Sequence, residues 1–490
     1  MGIVKKLDQL ICRFSSGVLV SSFVVILLLS FIAIVLQRMS IDLSWIQSLI
    51  HYLVLLCAFF GGVLAIDHEG SAKLSFFQKS EFVKSKTPKN LILTRFILIF
   101  SFFVLVWMVK SGIEFTKIEM EFSKVEFFGI PSGDLVSIIP FGLMLMTWRT
   151  FSLFVLSFKK QFAIDLIKFP LFLIMSFLSF LAFSYSEVET SALAKDLYHN
   201  ANSPLLFVIL LVFFVSCLIS ESNKNGRSIK LFELKELSFF TPVLIPILFY
   251  SFTTKVRLDL ILKAFLIPSS LILFVVFVFI RQSKEKKSLA TFCKEYLSEL
   301  ILPLGIFFGF IFGVLTLIEA FTLITFYYFI LEVLIFKTVS FKKDIPKVTL
   351  RALILSAGVL LAIFCTQTLT NHLSDENVPL KIFETIKSFS VNKYLFLFCL
   401  NLCLIVIGHA LDMLSALFLA ITFLAPIAYF FGIEPALLAV IILTNLKLVN
   451  LYSLSKINLK EKSTLLHLSL FGSILMINYI PTLSLFWFKY

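Results

Sequence analysis

The sequence predicts an all-α polytopic integral membrane protein of about fifteen membrane segments, some of them re-entrant or broken helices. Three observations carry that reading. Hydrophobic residues make up 59% of the 490 and charged residues only 15%, more apolar surface than a water-soluble core could hide. Apolar runs of about 17–25 residues recur from end to end, each long enough to cross a bilayer. The basic residues cluster in short stretches between those runs. In lipid the backbone must satisfy its own hydrogen bonds, so such runs form helices.

In chain order the spans fall at 17–36, 46–66, 91–109, 134–157, 164–184, 204–220, 239–252 and 260–280. They continue at 301–316, 319–336, 349–371, 394–411, 413–431, 435–453 and 464–487. The first is read as an uncleaved span with a cytoplasmic N-terminus, because no small-x-small cleavage site follows it. The loop 67–90, with Lys73, Lys79, Lys84, Lys86 and Lys89, is read as cytoplasmic. Residues 110–134 carry five acidic and three basic side chains and are read as outside. The same rule puts Lys159, Lys230, Lys286, Lys343 and Lys460 inside, the mixed-charge segment 372–393 outside, and Tyr490 in the periplasm. The net charge of +13 is thereby explained without a nucleic-acid partner. Cys399 and Cys403 lie about one helical turn apart and read as packing residues.

Two places look broken. "GFIFGVLTLIEAF", 309–321, places Gly309, Gly313 and Thr316 just before Glu319. It reads either as a hairpin tip or as a loop with Glu319 solvated. "GHALDMLSA", 408–416, puts Asp412 between two apolar runs with no polar loop. A central Asp in hydrocarbon costs roughly 3 kcal/mol. Asp412 therefore either caps the next helix at a tight reversal or lines an internal site for a cation or proton. In "FGIEPALLAV", 431–440, Gly432 ends one helix, Glu434 caps the next and Pro435 occupies its first turn.

Taken in order, these stretches resemble the membrane subunits of tripartite ATP-independent periplasmic (TRAP) transporters. Residues 1–158 look like the four-span small subunit, on "SWIQSLIHYLVLLCAFFGGVLAIDHEGSAKLSF", 44–76, and "GIPSGDLVSIIPFGLMLMTWR", 129–149. Residues 159–490 look like a shortened large permease subunit. "IPILFYSFTTKVRLDLILKAFLIPSSLIL", 245–273, follows its tyrosine-ended span, short loop and Ile-Pro-started span. "GVLTLIEA" matches the family's Gly-x-Phe-Thr-Pro-Thr-Glu-Ala pattern at Gly313, Thr316, Glu319 and Ala320, and "GHALD" matches its Gly-x-x-Leu-Asp segment. The first-half Ser-Gly-Ser-Ser element and the second-half Thr-Pro-Pro-Val-Gly element are absent. Lys447 stands where members usually carry an acidic residue.

The resemblance implies a permease of the bacterial inner membrane. It implies ion-coupled symport of a small organic acid of the C4-dicarboxylate kind, delivered by a periplasmic substrate-binding protein. It makes Thr316, Glu319, Asp412, Asn445 and Lys447 the candidate transport or ion residues. No catalytic residue, bound metal or cofactor is expected, with sodium as the implied coupling ion. Two alternatives stay open. One is a diverged TRAP-like membrane protein without conventional sodium-coupled transport. The other is a polytopic membrane transferase, for which Glu187, Asp196 and His199 would be the nominated cluster.

Overall fold

A computed structural model describes residues 2–39, 44–66, 73–74, 88–122, 125, 129–158, 169–186, 191–201, 203–225, 244–268, 270, 305–306, 308–389, 392–411, 413–455 and 472. The described chain is helical almost throughout. Among the described residues nine helices are long and apolar enough to cross a membrane, and the shorter apolar helices Phe172–Tyr185, Leu244–Thr254 and Pro435–Lys447 join them. The all-α polytopic fold is therefore as the composition predicts. The expected segment at 464–487 apart from residue 472, just over half of that at 260–280, and residues 301–304 and 307 of that at 301–316 lie outside the described residues. The chain divides into two compact units, Met1–Arg227 with Leu317–His372, and Ser228–Thr316 with Leu373–Tyr490.

The first unit is built around Ile345–Asp375, whose apolar window is 83% buried, against 28% for the outward-facing Gly2–Arg38 helix. Its packing relies on small residues. A Cβ at Gly61 would overlap Ala357, one at Gly62 would overlap Leu361, and one at Gly142 would overlap Phe59. The helices Ser44–Ala65 and Ile138–Leu156 thus approach almost to backbone contact, the close packing that replaces the hydrophobic drive inside a membrane. A buried ion pair ties the N-terminal helix to this core. Arg149 Nη1 donates to Asp8 Oδ2, and the Ser152 hydroxyl donates to Asp8 Oδ1 at 2.6 Å. Near the same unit's edge, Lys73–Leu74 pairs antiparallel with Phe169–Pro170.

The second unit contains the helices Leu244–Thr254, 258–268, Val378–Ser388, Lys393–Ala410 and Pro435–Ser455, with the interrupted helix 413–430. That interruption has a local cause. Pro426 lacks an N–H and crowds the carbonyl four residues earlier. The backbone relaxes into a π turn over Ala420–Leu424 between Met413–Leu419 and Ala425–Phe430. Gly432 then closes the helix in left-handed conformation, φ 69°. Its N–H reaches the Tyr429 carbonyl at 2.9 Å, and the Ile433 N–H reaches that of Ala428 at 3.2 Å. Pro435 opens the next helix, and the Glu434 carbonyl accepts from Leu438 N–H at 2.9 Å.

Two segments read from sequence as plain outside loops contain helices. Ser191–Ala201 buries Leu193, Ala194 and Leu197 and offers Tyr198 Oη to Tyr52 Oη at 2.7 Å. Val378–Ser388 is amphipathic, with Phe383 against Phe430 and Phe431 and the Lys387 ammonium over the Phe383 ring. Both are too short and too charged to register in a search for spans, yet each carries an apolar stripe at helical spacing.

Candidate functional site

The candidate residues sit on two kinds of local structure, and the first is the break after 308. Helix ends at Ile311, and Gly313 turns the chain at φ 77°. Its N–H bonds to the Phe310 carbonyl at 3.0 Å, and the Val314 N–H to that of Gly309 at 2.8 Å. Thr316 is exposed and directly precedes the helix Leu317–Phe329. With Glu319 three residues on, the spacing is that of a capping box. Glu319 is only 4% exposed, so its reading as a solvated loop residue does not hold. The helical break at this motif is common to both readings. Thr316 closes a stretch of the second unit, whereas Glu319 falls in the first.

The second structure is the helix pair Lys393–Ala410 and Pro435–Ser455. Asn392 starts the first helix, its side-chain Oδ1 accepting the Leu395 N–H at 2.8 Å. Leu411 is extended at φ −119°, ψ 164°, and helix resumes at Met413. Asp412 itself lies outside the described residues. The close approach belongs to Gly408. A Cβ there would stand 3.2 Å from Leu446 Cδ2 and 3.3 Å from Val449 Cγ1.

Where the two helices meet, Asn445 Nδ2 donates to Asn401 Oδ1 at 2.8 Å and to the Ile441 carbonyl at 2.8 Å. Both amides are buried, as are Thr444 and Ser415. An amide pair is the expected means of carrying polar groups in a helix interface that water does not reach. Lys447 is 4% exposed. Two residues along a helix are about 200° apart, so Lys447 leaves the helix on a different side from Asn445. The structure therefore joins Asn445 to Asn401 and does not group it with Lys447.

Sequence reasoning missed three members of these arrangements. Asn401 is visible in "CLNLCL" as a lone amide inside an apolar run, and that was the available signal. Tyr250, wholly buried, donates its hydroxyl to the Pro435 carbonyl at 2.8 Å and stands 3.2 Å from Tyr429 Oη. It fixes the start of the helix that carries Asn445 and Lys447. In the first unit Glu332, 1% exposed, accepts from Ser222 Oγ and Thr338 Oγ1, each at 2.5 Å. Glu332 lies in the π turn Ile330–Ile335. Of the nominated transferase cluster, Asp196 and His199 lie on the short helix Ser191–Ala201, and Glu187 lies outside the described residues.

The family match takes in stretches of both compact units. Residues 237–451 match the family model described as the tripartite ATP-independent periplasmic transporter, DctM component. The chain is 30% identical over 206 residues to the uncharacterized protein YgiK of Salmonella typhimurium, covering 39% of this chain and 47% of that protein. It is 24% identical over 187 residues to the C4-dicarboxylate TRAP transporter large permease protein DctM of Rhodobacter capsulatus, covering 35% of this chain and 42% of that protein. The aligned stretch thus spans less than half the length of either curated relative. Residues 237–451, which hold the Gly313–Thr316–Glu319 break and the Asn401–Asn445 pair, are thus similar to the DctM component of tripartite ATP-independent periplasmic transporters.

Proposed function

We propose that the protein is the permease of an ion-coupled uptake system for a small organic acid, of the C4-dicarboxylate kind, in a bacterial inner membrane. A periplasmic binding protein delivers the acid. Residues 1–158 serve as the small-subunit-like part and residues 159–490 as the shortened large permease part. The N-terminus is cytoplasmic and the C-terminus periplasmic. The observation that carries this reading is the coincidence of the DctM domain with a buried polar helix interface, Asn401 against Asn445. Polar groups at membrane depth are costly and gather where a substrate or ion passes. In this reading the breaks at Gly313–Thr316 and Leu411–Met413 free backbone groups for substrate and ion, as broken helices do in secondary transporters. Glu319, Asp412, Asn445 and Lys447 act beside them.

A second reading has one observation in its favour. Lys447 is buried within the helix Pro435–Ser455, and an ammonium there repels a sodium ion in a low-dielectric setting. A TRAP-like permease running without conventional sodium coupling, or having lost transport, accommodates that charge. Uptake of radiolabelled succinate into proteoliposomes, with a succinate-binding periplasmic protein added, separates the two. Accumulation driven by an imposed sodium gradient supports the first reading. Accumulation indifferent to sodium, or none with any of a panel of carboxylates, supports the second.

A further inference from the structure

The turn joining Leu244–Thr254 to the 258–268 helix is crowded with charge. Lys255 holds left-handed backbone, φ 58°, which costs a non-glycine residue roughly 1–2 kcal/mol. The Ser251 hydroxyl fixes the turn by donating to the Val256 carbonyl at 2.7 Å. Arg257 grips Asp259 with two prongs, Nε to Oδ1 at 3.1 Å and Nη2 to Oδ2 at 2.9 Å. Lys263 Nζ stands 4.0 Å from the same carboxylate. Three cations against one carboxylate leave the turn with a charge of 3 − 1 = +2.

Opposite this turn, in the same unit, the helix end at Ile311 and the Gly313 turn present Phe310, Phe312 and Leu315. Between the two walls lies a cavity of about 320 Å³, with Arg257, Asp259 and Lys263 on one side. A Cβ at Gly313 would meet nothing within 4 Å, so the glycine leaves that wall open. The volume is that of a small-molecule site. The Arg257 side chain stays 76% exposed in spite of its ion pair. A guanidinium has five N–H donors, and Asp259 takes two of them.

We propose that this cavity is a capture site for a small carboxylate with an apolar body, separate from the Asn401–Asn445 interface. The ligand's carboxylate meets the unused edge of Arg257 and the Lys263 ammonium. Phe310 and Phe312 cover its carbon chain. Asp259 holds the guanidinium in place when the site is empty and competes for it when the site is full, which keeps capture reversible. The binding is a property of these side chains alone; its purpose, as an antechamber to uptake, rests on the uptake reading above.

The test uses the full chain in lipid nanodiscs, with Cys12, Cys293, Cys399 and Cys403 replaced by serine and Leu315→Cys, on the cavity wall but not among the ligand-covering rings, as the reporter. The thiol is modified with an anionic or a cationic methanethiosulfonate, with and without succinate. The anionic reagent is expected to react about fivefold or more faster than the cationic one, after correction for their rates with a free thiol. Succinate slows both reactions, and acetamide does not. Arg257→Gln with Lys263→Gln removes the charge preference and the protection together, whereas Lys255→Gln, outside the cavity, keeps the protection. Calorimetric titration of succinate into the wild-type chain supplies a readout that needs no variant. A charge preference without succinate protection, which a site for an acidic protein surface would give, overturns the proposal. So does protection that survives the double variant, or a titration without heat together with no protection of the reporter thiol at about 10 mM succinate, a concentration that half fills a site of that Kd. Protection in a chain that transports nothing leaves this site standing and removes the uptake reading.

Discussion

Asn401 and Asn445 lie 44 positions apart and meet at 2.8 Å. Asn445 is legible as a polar residue inside an apolar run. Asn401 is legible in the same way, but their pairing is not, because nothing local ties two helices into register. Hydrogen bonds between helices in membranes contribute roughly 0.6 kcal/mol and at most about 1.7. A double-mutant cycle with Asn401→Ala and Asn445→Ala, followed by unfolding in mixed detergent, is therefore expected to give a coupling in that range. A coupling near zero would show that the amides do not act as a pair. The Asp8–Arg149 pair should behave more strongly, since both side chains are under a tenth exposed. Asp8→Leu alone leaves a buried guanidinium facing apolar surface and should lower stability by about 3–5 kcal/mol. Asp8→Leu with Arg149→Met should recover most of that loss, and thermal unfolding of the three variants checks it. If the double variant proves as unstable as Asp8→Leu, the ion pair is not the cause.

At the scale of elements, hydropathy locates the spans, and glycine locates the turns. Gly313 and Gly432 both adopt positive φ, which a residue bearing Cβ resists, so each marks a helix end that the sequence announces. The π turns are less legible. Ala420–Leu424 follows from Pro426, but Ile330–Ile335 has no proline within it or directly after it. In the second case Glu332, Ser222 and Thr338 gather round one carboxylate, and that gathering is tertiary. The Gly61–Gly62–Gly142 seam is equally hidden, because a glycine at close approach and one facing outward look alike in a sequence. The seam makes a sharp prediction. Gly142→Leu drives a side chain into Phe59 and should abolish or strongly lower folded yield, beyond the 1–3 kcal/mol usual for overpacking. Gly17→Ala, where nothing lies within 4 Å, should be neutral or gain about 0.5–1 kcal/mol. Size-exclusion profiles of fluorescent fusions in detergent distinguish the two, and equal profiles would show that the helices do not pack through that glycine.

For the whole molecule, the proposed orientation rests on the alternation of charge between spans. Single cysteines placed beside Lys73, Lys159, Lys230, Lys286 and Lys343 should label only after the inner membrane is breached, and one beside Tyr490 should label from the periplasm. A periplasmic label in the 67–90 loop would reverse the whole alternation. The multi-pass helical fold was legible from composition alone, because lipid leaves the backbone few other choices. The relation of the candidate residues to one another was not. Thr316 and Glu319, three positions apart, fall in different compact units, and Asn445 and Lys447 leave one helix on different sides. The central proposal is that the stretch similar to the DctM component, 237–451, acts as an uptake permease through the Asn401–Asn445 interface. The most direct measurement is gradient-driven succinate accumulation in proteoliposomes holding the full chain, with a succinate-binding periplasmic protein added, compared between wild type and Asn445→Leu at matched membrane levels. The account predicts accumulation by wild type and a loss of about tenfold or more in the variant, the equivalent of roughly 1.4 kcal/mol in the transport step. Equal accumulation by the two proteins would contradict it.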